Sequence, residues 1–176
     1  MAVSLRLRRL LTGEYASYRF VAGSTSPRAR AIAAAACVPG SQFAKSIVLG
    51  DAAGGYLMAV VPATTRLDLA AVAAASGRPG LRLASEQELG RLFPDCDLGA
   101  MPPFGELYGL HTYVDPCFRD RPDFVFQGGS HDELVAMRFA DYESLARAVV
   151  GPSCFHAKAP APARRSTAPR PASATV

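Results

Sequence analysis

No stretch of the 176 residues approaches the ~20 consecutive apolar residues needed to cross a bilayer, and the apolar run Ala31 to Val38 is far too short. The amino terminus, Met1 to Leu11, is basic but lacks the apolar centre and small-residue cleavage site of a secretory signal, so it is expected in the mature protein and the compartment is expected to be the cytosol. Cys37, Cys96, Cys117 and Cys154 stand far apart, with no C-x-x-C pair and no histidine at ligand spacing. This argues against zinc and against a dithiol redox site, and reduced, partly buried thiols are expected. There is no P-loop, no dinucleotide glycine motif and no H-E-x-x-H, so no cofactor and no metal is expected.

What is present is one domain's worth of chain, 49% apolar, enough for an ordinary core. The net charge of +4 is unevenly placed. Residues 152–176 hold Lys158, Arg164, Arg165 and Arg170 and no acid, whereas residues 1–151 carry 15 basic and 15 acidic side chains. Within that neutral body, residues 1–46 contain six arginines and Lys45 against Glu14 alone, leaving 47–151 at −6. The division expected is a folded domain over 1–151 and a disordered basic Pro/Ala-rich tail over 152–176, too poor in large apolar residues to bury itself.

Local signals supply the elements. Ser26-Pro27 opens a helix through Ala29 to Cys37, stopped by Pro39-Gly40. Lys45 to Leu49 and Tyr56 to Val61 form a hairpin across a glycine-rich turn. Asp68 caps a short helix that Gly77 ends, Leu81 to Leu83 is a strand, and Ser85 with Glu88 makes a capping box. Pro94 to Gly109, with three prolines and three glycines, is a shaped loop. His111 to Val114, Phe124 to Gln127 and Glu133 to Arg138 are strands, and Asp141 is expected to cap a last helix reaching about Val150. The pattern implies a mixed α/β (α+β) domain around a curved sheet.

Three features could carry chemistry. Lys45 is the only lysine before the tail in an arginine-rich chain, which suggests a site needing a compact ammonium, although a solvated strand-edge lysine would read the same. The loop Gly99-Ala100-Met101-Pro102-Pro103-Phe104-Gly105 joins rigid prolines to permissive glycines and could hold its amides around a small group, or serve only as a stiff connection. Gln127-Gly128-Gly129-Ser130-His131-Asp132 could present backbone N–H groups and a histidine, or be an ordinary turn. The adjacency of Ser130, His131 and Asp132 is no sign of a triad, whose members converge in space. Asp115 and Asp68 read as turn and cap residues.

Together these segments resemble the YbaK/prolyl-tRNA synthetase-associated editing-domain family of aminoacyl-tRNA deacylases (ProX/EbsC-like). The resemblance runs in order through Val38-Pro39-Gly40, Phe43-Ala44-Lys45-Ser46, Val61-Pro62-Ala63 with Leu67-Asp68-Leu69, Arg82-Leu83-Ala84-Ser85 with Glu88-Leu89, Gly99 to Gly105, Tyr113-Val114-Asp115 and Gly128-Gly129-Ser130-His131. It covers about residues 3–150. Val21-Ala22-Gly23-Ser24 lacks the histidine common among relatives just upstream of the first helix.

The resemblance implies a barrel-like mixed sheet surrounded by helices and a trans-editing hydrolase that removes a small amino acid from mischarged tRNA, on tRNA-Pro or a similar tRNA. A one-methylene difference gives a synthetase only about 1–3 kcal/mol of discrimination, so errors among small amino acids call for a second, hydrolytic sieve. By the same resemblance Lys45 is the catalytic lysine near the tRNA 3′ terminus. Gly99, Ala100, Met101, Pro102, Pro103, Phe104 and Gly105 help form the amino-acid pocket, Gly128, Gly129 and Ser130 its opposite wall, and His131 falls where some relatives place a pocket histidine. The partner implied is the 3′ acceptor end of aminoacyl-tRNA, not DNA or a membrane. The rival is a non-catalytic module of the same fold that binds a tRNA end or a partner protein.

Overall fold

The structure, a computed structural model, describes residues 3–13, 17–22 and 36–151. The expected helix from Ala29 and the basic tail fall largely or wholly outside the described residues.

Helix α1 (Leu5–Gly13) was not anticipated from its basic sequence. Its logic is an i, i+4 pair: Leu7 and Leu11 are buried while Arg6, Arg8 and Arg9 face solvent. Strand β1 (Tyr18–Ala22) follows. The expected hairpin is present as β2 (Ala44–Gly50) and β3 (Tyr56–Pro62), antiparallel with Lys45 opposite Val61. Asp51 shapes its turn, its carboxylate accepting from the amides of Ala53 (3.0 Å) and Gly55 (2.7 Å). Asp68 caps α2 (Leu69–Ser76) by accepting from Ala70 and Ala71, and Gly77, at φ 66°, ends it.

After β4 (Arg82–Leu83), the capping box on α3 (Glu86–Leu92) is complete: Ser85 Oγ accepts from the Glu88 amide while the Glu88 carboxylate accepts from the Ser85 amide. Arg82 and the Tyr56 hydroxyl also bind this carboxylate, so one acid ties β4, α3 and the hairpin together. The long loop contains a short 3-10 helix, Gly105–Tyr108, before β5 (His111–Val114). Asp115 caps the next 3-10 helix, Pro116–Asp120, as its turn role implied. Strands β6 (Phe124–Gln127) and β7 (Glu133–Met137) lead to α4 (Phe139–Ala146) and β8 (Val149–Val150).

The last helix differs from expectation. Arg138 is its N-cap, and Asp141 sits in its first turn, where its carboxylate receives two hydrogen bonds of 2.9 Å from the Arg138 guanidinium. The helix ends at Ala146 with Arg147 in the left-handed region, φ 47°. Val149 and Val150 then pair in parallel with β5, where β-branched side chains suit a pleated surface better than a helix.

The mixed α+β fold is confirmed, but its strands form two sheets and not a closed barrel. One sheet has the order β1-β7-β6, all antiparallel, and the other β4-β2-β3-β5-β8, with β3-β5 and β5-β8 parallel. A single parallel bridge between Phe43 and Val125 joins them, supported by the Val125 amide donating to the Gln42 carbonyl at 2.9 Å. The main core holds an aromatic cluster in which Phe104, Phe118, Phe124, Phe126, Phe139 and Tyr142 pack edge to face or tilted, with Phe118 stacked on Phe139. Each such ring contributes about 1.5–3 kcal/mol of burial.

Among the described residues no helix is long and apolar enough to cross a membrane, and no group of three or more His, Cys, Asp or Glu is placed to hold a metal ion. Cys37, Cys96 and Cys117 are free thiols. Burial pushes Cys117 up to about 12, reinforced by its hydrogen bond with Asp115, and pushes Cys96 up to about 11, opposed by its hydrogen bond with Tyr108. Both are poor nucleophiles near neutrality.

Candidate functional site

Lys45 enters the fold at the seam between the two sheets. Alternate residues of a strand share a face, and β2 runs parallel to β6 at the Phe43–Val125 bridge. Lys45 and Gln127, each two residues beyond that bridge in the same direction, therefore stand on one face. On that face Phe43 packs with Val125, Leu134, Ala136 and Ala63. The Lys45 side chain is half-buried, and its Nζ donates to the Thr65 carbonyl just after β3. This contact ties the amine to the segment that follows β3.

Gln127 leads from Lys45 to the histidine. It is 7% exposed, and its side-chain amide nitrogen lies 2.9 Å from His131 Nδ1. In this orientation of the Gln127 amide, whose nitrogen can only donate, Nδ1 accepts and a neutral imidazole carries its proton on Nε2. The His131 amide in turn donates to the Asp97 carboxylate at 3.4 Å.

The proline loop meets this histidine. A Cβ placed on Gly99, which has φ +89°, would stand 3.8 Å from His131 Cε1. Asp97 joins the two segments again, since its amide donates to the Gly129 carbonyl at 2.8 Å and its own carbonyl accepts from Ala100. The amides of Gly99 and Met101 make no hydrogen bond among the described residues. Beyond Gly99 the loop is fastened inward. Ala100, Met101 and Phe104 are buried, Phe104 lies against Phe126 and Tyr142, and the Tyr142 hydroxyl donates to the Pro103 carbonyl at 2.7 Å. Pro102 is buried with them. Gly105 is glycine for a packing reason, because a Cβ there would come within 2.5 Å of Thr112 Oγ1.

The glycine turn is shaped by the amino-terminal segment. A Cβ on Gly129 (φ +117°) would lie 2.7 Å from Ser4 Cβ, and one on Gly128 3.0 Å from Val3 Cγ2. Ser4 donates its amide to the Gly128 carbonyl, and the Gly128 amide donates to Glu133. Both glycines thus admit a close-packed neighbour, and the Gly128 amide is already engaged. Ser130 is fully buried, its hydroxyl without a partner among the described residues.

Gly99, Gly129 and His131 accordingly border one region, linked by Gln127 and Asp97, and Lys45 stands on the sheet face that also bears Gln127. Sequence reasoning gave neither linker a role of its own. Gln127 could have been found as the residue that closes β6 immediately before the glycines; Asp97 carries no comparable local signal. A groove of about 370 Å³ between α1, the Gly105–Tyr108 turn and α4 shares only Phe104 with the proline loop, and neither Lys45, Gln127 nor His131 lines it.

Comparison with known proteins gives this geometry a context. Residues 25–145, well over half the chain, match the family described as the aminoacyl-tRNA editing domain. No curated protein matches. Among solved structures, the hypothetical protein APE2540 superimposes with a TM-score of 0.74 at 22% identity, over 82% of this chain and 96% of its own. A protein put forward as a trans-editing enzyme for prolyl tRNA synthetase gives 0.71 at 27% identity, over 85% and 96%. A protein of Marinobacter aquaeolei VT8 put forward as acting in signal transduction gives 0.65 at 20% identity, with 85% of this chain matching 30% of that longer one.

Proposed function

Because this chain belongs to the aminoacyl-tRNA editing-domain family, we propose that it is a free-standing deacylase that hydrolyses the ester joining a wrong small amino acid to the 3′ end of tRNA. The observation that carries the proposal is the meeting of the Gly99 end of the proline loop with His131, itself bonded to Gln127, on the sheet face from which Lys45 also projects. Support for the tRNA-Pro class comes from the likeness to a protein put forward as a trans-editing enzyme for prolyl tRNA synthetase.

An aminoacyl ester is already activated, so placement and a few hydrogen bonds to the developing oxyanion can supply much of the rate. In this scheme the Lys45 ammonium holds the terminal nucleotide and offsets negative charge. The Gly99 amide and the His131 Nε2–H are the donors for the carbonyl oxygen. Water adds to the carbonyl carbon, the bond to the ribose oxygen breaks, and that oxygen leaves as a hydroxyl with a proton taken from solvent or a neighbouring ribose hydroxyl. The products are the free amino acid and uncharged tRNA.

The test is a deacylation screen across mischarged tRNAs with the wild-type chain, Lys45→Ala and Lys45→Arg. A drop of about 10²-fold or more in rate is expected for the alanine variant with the fold retained by circular dichroism, and little rescue by arginine, whose planar fork does not replace a point charge. A wild-type chain that binds tRNA ends yet hydrolyses none of the substrates would make it a binding module instead.

A further inference from the structure

We infer that the solvent face of α1, through Arg8 and Arg9, grips the phosphate backbone of the tRNA whose 3′ end the seam receives; this rests on the editing function proposed above. Residues 3–22 lie before the stretch that matches the family, yet α1 is built into the domain, with Leu7 and Leu11 in the core. Its position is set by Ser4, which packs on Gly129 and bonds the Gly128 carbonyl, the turn that leads to His131. At about 1.5 Å of rise per residue, Arg8 and Arg9 stand roughly 6–8 Å along the helix from that turn.

The three α1 arginines divide into two kinds. Arg6 is committed: its guanidinium donates to the Leu107 carbonyl at 2.7 Å and lies 4.9 Å from the centre of the Tyr108 ring. Arg8 and Arg9 are exposed and make no ion pair or side-chain hydrogen bond among the described residues. Elsewhere in the domain, Arg19, Arg78, Arg82, Arg119 and Arg138 are each answered by a carboxylate, while Arg66, Arg91, Arg121 and Arg147, like Arg8 and Arg9, have none among the described residues, but of these only Arg8 and Arg9 stand on α1 beside the glycine turn. Two exposed guanidiniums with no carboxylate partner among the described residues suit an anion of extended, repeating charge. Along the sequence the positive charge is likewise uneven, residues 1–46 carrying +6 and residues 47–151 carrying −6.

The experiment measures binding of uncharged tRNA to the full chain across salt concentrations, for the wild type, Arg8→Ala/Arg9→Ala, and Arg119→Ala/Arg138→Ala as a charge-matched control drawn from ion pairs. The first double variant is expected to bind about tenfold more weakly at low salt, with the slope of log K against log salt reduced by about 0.7–0.9 for each phosphate no longer neutralised. The control should match the wild type. In parallel, kcat/KM on mischarged tRNA should fall in the Arg8/Arg9 variant while the rate on 3′-aminoacyl-adenosine, which has no stem, stays unchanged. Wild-type affinity and slope in that variant, or no salt-dependent tRNA binding by any form, overturns the inference. If the wild type binds tRNA through these arginines but hydrolyses no mischarged species, the deacylase proposal falls and the phosphate contact stands.

Discussion

The Gln127 amide nitrogen sits 2.9 Å from Nδ1 of His131, an orientation in which Nδ1 accepts and a neutral ring carries its proton on Nε2. If Nε2–H donates to the ester carbonyl, Gln127→Leu should lower kcat/KM roughly tenfold by freeing the ring to rotate and change tautomer. Gln127→Glu should act differently. A carboxylate beside His131 attracts positive charge on the ring, so a reaction needing the neutral ring should show its acid limb at higher pH in this variant than in the wild type. A pH–rate profile of the two variants separates these effects from simple destabilisation, which would leave the limb in place.

Gly129 and Gly90 should respond to alanine with opposite sign. At Gly129 the backbone has φ +117° and a methyl group would lie 2.7 Å from Ser4 Cβ and 2.9 Å from its amide nitrogen. Gly129→Ala is expected to cost about 1–3 kcal/mol. Gly90 lies within α3, where an added Cβ meets nothing within 4 Å, and Gly90→Ala should gain about 0.5–1 kcal/mol. Thermal denaturation of the two variants beside the wild type is the check.

Glu88 should make stability depend on acidity. The Arg82 guanidinium, then the Ser85 amide and the Tyr56 hydroxyl, hold its carboxyl far below the ordinary carboxylate value of 4.5. A depressed pKa means the unfolded chain takes up the proton first, so this contribution is complete above about 4.5 and is lost as pH falls below it. Glu88→Gln should be less stable than wild type at neutrality, with the gap narrowing as pH is lowered through that range. A constant difference in melting temperature from about pH 7 to about pH 3 would contradict the assignment.

Elements specified by neighbours in the chain were legible from sequence. Asp68 with Gly77, and Ser85 with Glu88, bracket their helices through contacts only a few residues long, and both appear as expected. The carboxyl-terminal turn was not legible for the opposite reason. Arg147 adopts a left-handed cap without being glycine, and Val149 and Val150 become a strand only because β5 offers a parallel edge more than thirty positions earlier. Helix α1 was obscured by its charge, although Leu7 and Leu11 carried the spacing. At the site, Lys45, Gly99 and His131 were named one by one, partly by resemblance. The meeting of Gly99 with His131 depends on Asp97, and the shared face of Lys45 and Gln127 on the Phe43–Val125 bridge, contacts between distant parts of the chain that no window of sequence displays.

The seating of Val3 and Ser4 on the glycine turn bears on where this domain can be cut. Trimmed to the stretch shared with its family, the polypeptide would shed α1 and β1 together. The outer edge of β7, with Leu134, Val135 and Ala136 along it, would then be left open to pair with any passing strand. The smallest soluble unit therefore begins ahead of the family signature, and a shortened version should be found in the pellet.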